Sequence, residues 1–155
     1  MASGISGVQE LRIAEGISVL RAAANLPQTA SQTIYNINGG RILLTGLVGL
    51  VTTAIQNQST TVQFKHISTA GSTTTTMTDA VTSVGNLAVG QMIALPNAVT
   101  GTSNPVVTGL VIAKPSRLVL VAGQLQLTTG ASSTGQVSWL LTYFPLDVGA
   151  SVAAA

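Results

Sequence analysis

Residues 41–55, read as a strand, are apolar on both faces. One alternating set holds Ile42, Leu44, Val48 and Leu50, and the other holds Leu43, Leu47, Val51 and Ile55. Successive side chains of a strand point to opposite faces, so both faces of this segment need cover. In a single two-sheet domain one face of each sheet meets water. The second cover is therefore expected from another subunit, with Leu43, Leu47 and Val51 at the contact.

The rest of the chain after residue 32 reads as strands and turns. Thr33–Asn38 alternates and runs into Gly39–Gly40, a tight-turn signal. Thr61–Ile67 sets Val62, Phe64 and His66 against Thr61, Gln63 and Lys65, a half-exposed strand. Ala70–Thr76 is a Gly/Ser/Thr loop, Met77–Val84 and Leu87–Leu95 are short strand candidates, and Pro96–Asn97 ends the latter. Val106–Ala113, Arg117–Val121, Gln124–Thr129 and Gln136–Phe144 complete the set. About eight strands divided by short turns predict an all-β fold, a single β-sandwich or jelly roll, rather than alternating α/β. Thr and Val are among the dominant residues and suit a pleated surface.

The first 32 residues differ. Ile13, Ile17, Leu20 and Ala24 fall at i, i+4, i+7 and i+11, one stripe of a helix. Gly16 inside the run weakens it by about 1 kcal/mol against Ala, so an extended arm competes with a short helix, and Pro27 stops any helix. Nothing elsewhere offers a matching amphipathic stretch. Residues 1–32 are thus expected to form an N-terminal arm that docks on a neighbour through Arg12, Ile13, Ile17, Leu20 and Arg21. Residues 33–147 form the β domain, and 148–155 a small-residue tail that packs along a neighbour or frays.

Charge is scarce. Six Lys/Arg and four Asp/Glu make 6% of 155 residues, against about 25% in ordinary domains. A monomer of this size exposes roughly 7,000 Å², so much of the surface is expected to be hidden in an assembly. A net charge of +2 is too small to argue for nucleic acid, where several bases neutralise phosphates. Arg12 and Arg21 are balanced by Glu10 and Glu15, and no aromatic stacking platform accompanies them. The start lacks the basic and apolar regions of a secretory signal. The run Ile42–Ile55, interrupted by Gly and Thr, falls short of a spanning helix. Two Tyr, two Phe and one Trp are too few for the aromatic girdles of an outer-membrane barrel. No membrane partner is expected.

Chemistry finds little to work with. The single histidine, His66, would need Asp79 or Asp147 for a nucleophilic triad, and no G-x-S-x-G is present. Asp79 and Asp147 as a glycosidase pair lie at turns, where Asp usually bonds local backbone. Cysteine is absent, histidine is single and no carboxylate cluster occurs, so neither zinc nor calcium is expected. The glycines of residues 39–49 are not followed by G-K-[ST] and make no phosphate loop. The expectation is a protein that is no enzyme, with no cofactor, no metal and no small-molecule substrate.

The segments GGRILLTGLVGLVTTAI (39–55) and QVSWLLTYFPLD (136–147), with the tail GASVAAA, resemble small virion proteins of tailed bacteriophages. The likeness is to the head decoration, or cement, proteins. That resemblance implies a β-rich homotrimer on the capsid surface of the virion, bound to itself and to the major capsid protein and reinforcing the shell. The alternative is a tail, fibre or adhesin module that recognises a host glycan or receptor, for which exposed aromatics would be the mark. The hydroxyl-rich loop Ser72–Thr76 would be its contact.

Overall fold

The structure, a computed structural model, describes residues 16–80, 83–95, 106–108 and 117–155. Eleven strands are present among them and no helix. They are β1 (Ile17–Asn25), β2 (Ser31–Asn38), β3 (Ile42–Thr53), β4 (Val62–Ser68), β5 (Thr74–Thr76), β6 (Gln91–Ala94), β7 (Val106–Thr108), β8 (Leu118–Leu120), β9 (Gly123–Thr129), β10 (Gln136–Pro145) and β11 (Ser151–Ala154). Sheet A runs β1-β10-β3-β6-β7, with β8 also paired to β3, and sheet B runs β11-β2-β9-β4-β5. All pairings are antiparallel.

The order of pairing is that of one long hairpin wound over two sheets. β4 pairs with β5, β3 with β8, β2 with β9 and β1 with β10, and successive pairs alternate between the sheets. This is the winding of a jelly roll, and the expected all-β sandwich is what forms. Two additions decorate it. The β6–β7 hairpin pairs with the far half of β3, and β11 extends sheet B beside β2. The Gly39–Gly40 turn forms, with φ of 72° and 147°. It carries the chain from sheet B to sheet A rather than closing a two-strand hairpin.

Between the sheets lies one core. Trp139 of β10 meets Phe64 of β4 edge-on, with ring centroids 5.3 Å apart and planes at 89°, a favoured aromatic geometry. The indole lies over Gly49 of the neighbouring strand, where a Cβ would stand 2.5 Å from Trp139 Cζ3. Glycine in a strand interior costs entropy but permits close approach, and here it makes room for the largest core side chain. Tyr35, wholly buried in β2, donates its hydroxyl across the sandwich to the carbonyl oxygens of Trp139 (2.7 Å) and Val19 (3.1 Å). Burial pushes its phenol up to about 12.

Several expectations need correction. The helical stripe is not realised in the described part: Ile17–Asn25 is strand β1, paired along β10 from Ile17↔Tyr143 to Asn25↔Gln136. Ile17 and Val19 pack against the core and Arg21 is buried, while Leu20 faces out. The residues therefore also carry a period of two, and the long free edge of β10 selects that period over the helical one. Arg12 and Ile13 lie outside the described residues. The tail does not fray: β11 pairs with β2 of the same chain from Ser151↔Asn38 to Ala154↔Tyr35. Thr74–Thr76, read as loop, is the short edge strand β5. Met77–Val84 forms no strand in its described part, apart from the bridge Thr61↔Ser83.

Candidate interaction surface

The double apolarity of β3 has a local solution. Its pairing with β10 shifts between Tyr143↔Leu44 and Thr142↔Gly46, leaving Thr45 unmatched in a β-bulge. One extra residue exchanges the faces beyond it. Ile42 and Leu44 point inward before the bulge, and Leu47, Gly49 and Val51 after it. Leu47 and Val51, expected at a subunit contact, are core residues at 1% and 0% exposure. Leu43, Val48 and Leu50 are left on the outside. The strand still carries apolar residues on both faces, but the sets are mixed from the two expected.

On the outer face of sheet A these residues join others in cross-strand register. Leu20 stands beside Leu140, which stands beside Val48. Ser138 stands beside Leu50, which stands beside Met92. Nearer the other end, Phe144, Leu43 and Val119 form a third row. Leu20 is 68% exposed, Val119 58%, Leu140 42% and Leu50 41%. Leu20, Val48, Leu50, Met92 and Leu140 surround the short Ser138 and enclose a groove of about 320 Å³. Among the described residues, the other exposed large apolar side chains, Val89, Val121, Leu146 and Val148, sit singly in connections, which is ordinary for a protein surface.

Of the expected contact residues, the structure brings Leu20 and Leu43 to this face. Ile17 is half-buried against the core, and Arg21 points inward. The Arg21 Nε donates to the Ala155 carbonyl at 3.0 Å, tying β1 of sheet A to the end of β11 in sheet B. Sequence reasoning missed Val48, Leu50, Met92, Val119, Ser138 and Leu140. The signal was there in Gln136–Phe144, whose alternation places Ser138, Leu140, Thr142 and Phe144 on the side away from Trp139.

No charged side chain belongs to the three outer rows. Arg41 and Asp147 pair at a corner, Nη2 to Oδ1 at 2.7 Å, and the Arg41 backbone N–H also donates to Asp147 Oδ2 at 2.7 Å. The Arg41 side-chain hydrogen bonds hold the Asp147 carboxyl down to about 2. Lys65 lies on the outer side of sheet B. His66 is buried in β4 with Nε2 3.0 Å from the Val121 carbonyl oxygen, and burial lowers its pKa. Asp147 is thus engaged with Arg41 and His66 with backbone, so neither is poised toward the other. Among the described residues no group of three or more His, Cys, Asp or Glu is placed to hold a metal ion.

The outer face of sheet B has a different chemistry. Gln124, Gln126 and Thr128 of β9 lie beside Ser31 and Thr33 of β2 and Gln63 and Lys65 of β4. Their side chains bond one another: Thr33 Oγ1 donates to Gln124 Oε1 (3.2 Å), Gln126 Nε2 to Gln124 Oε1 (3.1 Å), and Ser31 and Thr128 hydroxyls meet at 2.6 Å. No protein-family model, curated protein or solved structure matches this chain.

Proposed function

We propose that this protein is a structural component of a virion, a homo-oligomer that binds the capsid shell and reinforces it. The observation that carries the reading is the uncharged apolar outer face of sheet A on a jelly-roll sandwich. Contiguous exposed apolar surface of this kind marks a contact site, and a chain with 6% charged residues has few other means of specifying a partner. The jelly roll is a frequent architecture of viral capsid domains, as well as of lectins and cupins, so the fold is compatible with the reading and the face supplies its physical content. The work done is binding: each copy adds contacts to a lattice, and repetition multiplies a modest contact into resistance to internal pressure.

The glycan-recognising alternative gains little from the aromatic residues. Tyr35, Phe64, Trp139 and Tyr143 are buried, and the half-buried Phe144 on the outer side of sheet A is the one ring left partly open.

The deciding measurement is copy number of the chain in purified particles, with cosedimentation of the purified protein on shells lacking it. A copy number matching lattice positions and saturable binding are expected. Absence from particles, or no cosedimentation, overturns the reading. Arm deletions must stop before β1: removal of residues 1–15 should weaken attachment with the sandwich intact, and unchanged attachment would remove the arm's role. Removal through residue 30 strips β1 from β10 and should unfold the domain.

A further inference from the structure

The outer face of sheet A has the properties of one half of a symmetric interface, and we infer that it is covered by the same face of a second copy, related by a two-fold axis. This rests on the reading of the protein as a self-associating body, and not on the surface to which the assembly attaches.

Three observations select a second copy as the occupant. The first is charge. The described charged side chains lie outside these rows: Arg21 points inward, Arg41 and Asp147 pair at a corner, Lys65 lies on sheet B, Asp79 lies outside the strands, and Arg117 is exposed just before β8, at the Val119 end of the face. A partner chosen by electrostatic complementarity would find no counter-charge around the groove. The matching surface is itself uncharged and apolar, and a second copy presents one. The second observation is number. A ring such as a trimer is built from heterologous contacts, which need two different complementary surfaces on every copy. A two-fold contact needs one self-complementary surface. Among the described residues, sheet A has an apolar outer face and sheet B a polar one, so the copy offers one such surface.

The third observation is size and relief. Four strands at about 4.8 Å spacing and about ten residues at roughly 3.3 Å give a plane of roughly 600 Å² in projection. Side-chain relief brings this close to the ~800 Å² per partner of a standard interface. The face also carries a projection and a depression side by side. Leu20 stands 68% exposed at one wall of the groove, whose lining includes the short Ser138. Two such faces packed about 10 Å apart, as aligned sheets pack, let Leu20 of each copy enter the groove of the other. Ser18 and Thr142, paired in register, lie on the same outer face between the Leu20–Leu140 row and the Phe144–Leu43 row, and divide it with a polar strip.

The test uses the purified full chain without shells. Light scattering and sedimentation equilibrium should give a mass of two 15.6-kDa chains. Leu140→Lys should raise the dimer dissociation constant by at least about 30-fold, the effect of losing a central contact residue. Gln126→Lys on sheet B should leave it unchanged. A monomer, a trimer, or a Leu140→Lys dimer as tight as the parent overturns the inference. Near-ultraviolet circular dichroism, dominated by the buried Trp139, reports whether the variant folds.

A gentler probe exploits the absence of native cysteine. Thiol alkylation of Ser138→Cys should slow as protein concentration rises through the dimerisation range, whereas Gln126→Cys should react at a constant rate. Equal, concentration-independent rates at both sites also overturn the inference. A dimer that fails to bind shells would sink the virion reading and leave this one standing. A shell-bound trimer would do the reverse.

Discussion

The two sheets of this sandwich share a core and differ on their outer sides. Outside sheet A, the positions that alternate with core residues hold Leu20, Leu43, Val48, Leu50, Met92, Val119 and Leu140, with Ser18, Ser138 and Thr142 among them. Outside sheet B, the equivalent positions hold Gln63, Lys65, Gln124, Gln126, Thr128 and Thr33, with Ile67 as an apolar exception. Sheet B shows that this chain can make a polar face almost without charge, from neutral amides and hydroxyls that bond one another. Scarcity of charge is therefore not by itself the mark of a buried surface. What separates the faces is the share of groups that water can satisfy, and by that measure, among the described residues, the outer side of sheet A is the one that leaves apolar rows exposed.

The largest expected effect comes from breaking the plane of sheet A itself. Gly49→Val places branched carbon where Trp139 now lies, and overpacking at so tight a site should cost about 3 kcal/mol or more, read as a drop in the urea midpoint. The outer rows of sheet A would lose their register, while a comparable change on sheet B, Gln126→Val, should move stability by no more than about 0.5 kcal/mol.

Next in size is a conversion of one face into the other. Leu50→Gln with Leu140→Gln gives sheet A the chemistry of sheet B. Self-association should be lost, solubility should rise, and the unfolding midpoint of the isolated chain should shift little, because both side chains are about 40% exposed. If association survives the double change, the contrast between the faces carries no function.

A smaller effect tests how the wall of the groove is held. Tyr35 reaches from sheet B to the carbonyls of Val19 and Trp139, so Tyr35→Phe should cost about 1–2 kcal/mol, with buried hydrogen bonds lost. Amide exchange should quicken in β1, where Leu20 resides, more than in β9.

The smallest effects are in pH. Asp147 is held below its usual 3.8 by Arg41, so the stability it brings is fully present above pH 3.8 and is lost as pH falls through about 2. The pair is exposed, so that loss is slight. His66 is disfavoured as a cation by burial and lies below its ordinary 6.5. Its contribution is whole above pH 6.5 and declines as pH drops from there toward its lowered native value. Urea midpoints taken from pH 8 downward should be flat to the mid-sixes and then fall, and His66→Gln should flatten the first decline.

Much of this architecture was legible in the sequence, because strict alternation in Thr61–Ile67, Gln124–Thr129 and Gln136–Phe144 states both a strand and its inward face. The failures have physical causes. Ile17, Leu20 and Ala24 satisfy a helical stripe while Ile17, Val19 and Arg21 satisfy a strand. Only the free edge of β10, over a hundred residues away, decides between them. The candidate surface was half visible for a similar reason. A bulge at Thr45 swaps the faces of β3, and no local signal distinguishes Gly46 as the partner of a bulge from Gly49 as the seat of Trp139. Leu47 and Val51 were placed outside when they belong within. The outer face itself is assembled from β1, β3, β6, β8 and β10, a non-local object that no single window contains.

That dispersal has a consequence for when the surface comes into being. During synthesis the chain emerges in order, and pairing of β1 waits for β10, whose first partner contact spans from Asn25 to Gln136. Such a long-range closure is slow to form. Until residues 136–145 arrive, Leu20 has no Leu140 beside it, Ser138 is absent, and the groove does not exist. If that face self-associates as inferred above, neighbouring nascent chains on one messenger carry no completed contact surface, and association is deferred to molecules already wound. The winding would then act as a timer that keeps assembly from preceding folding.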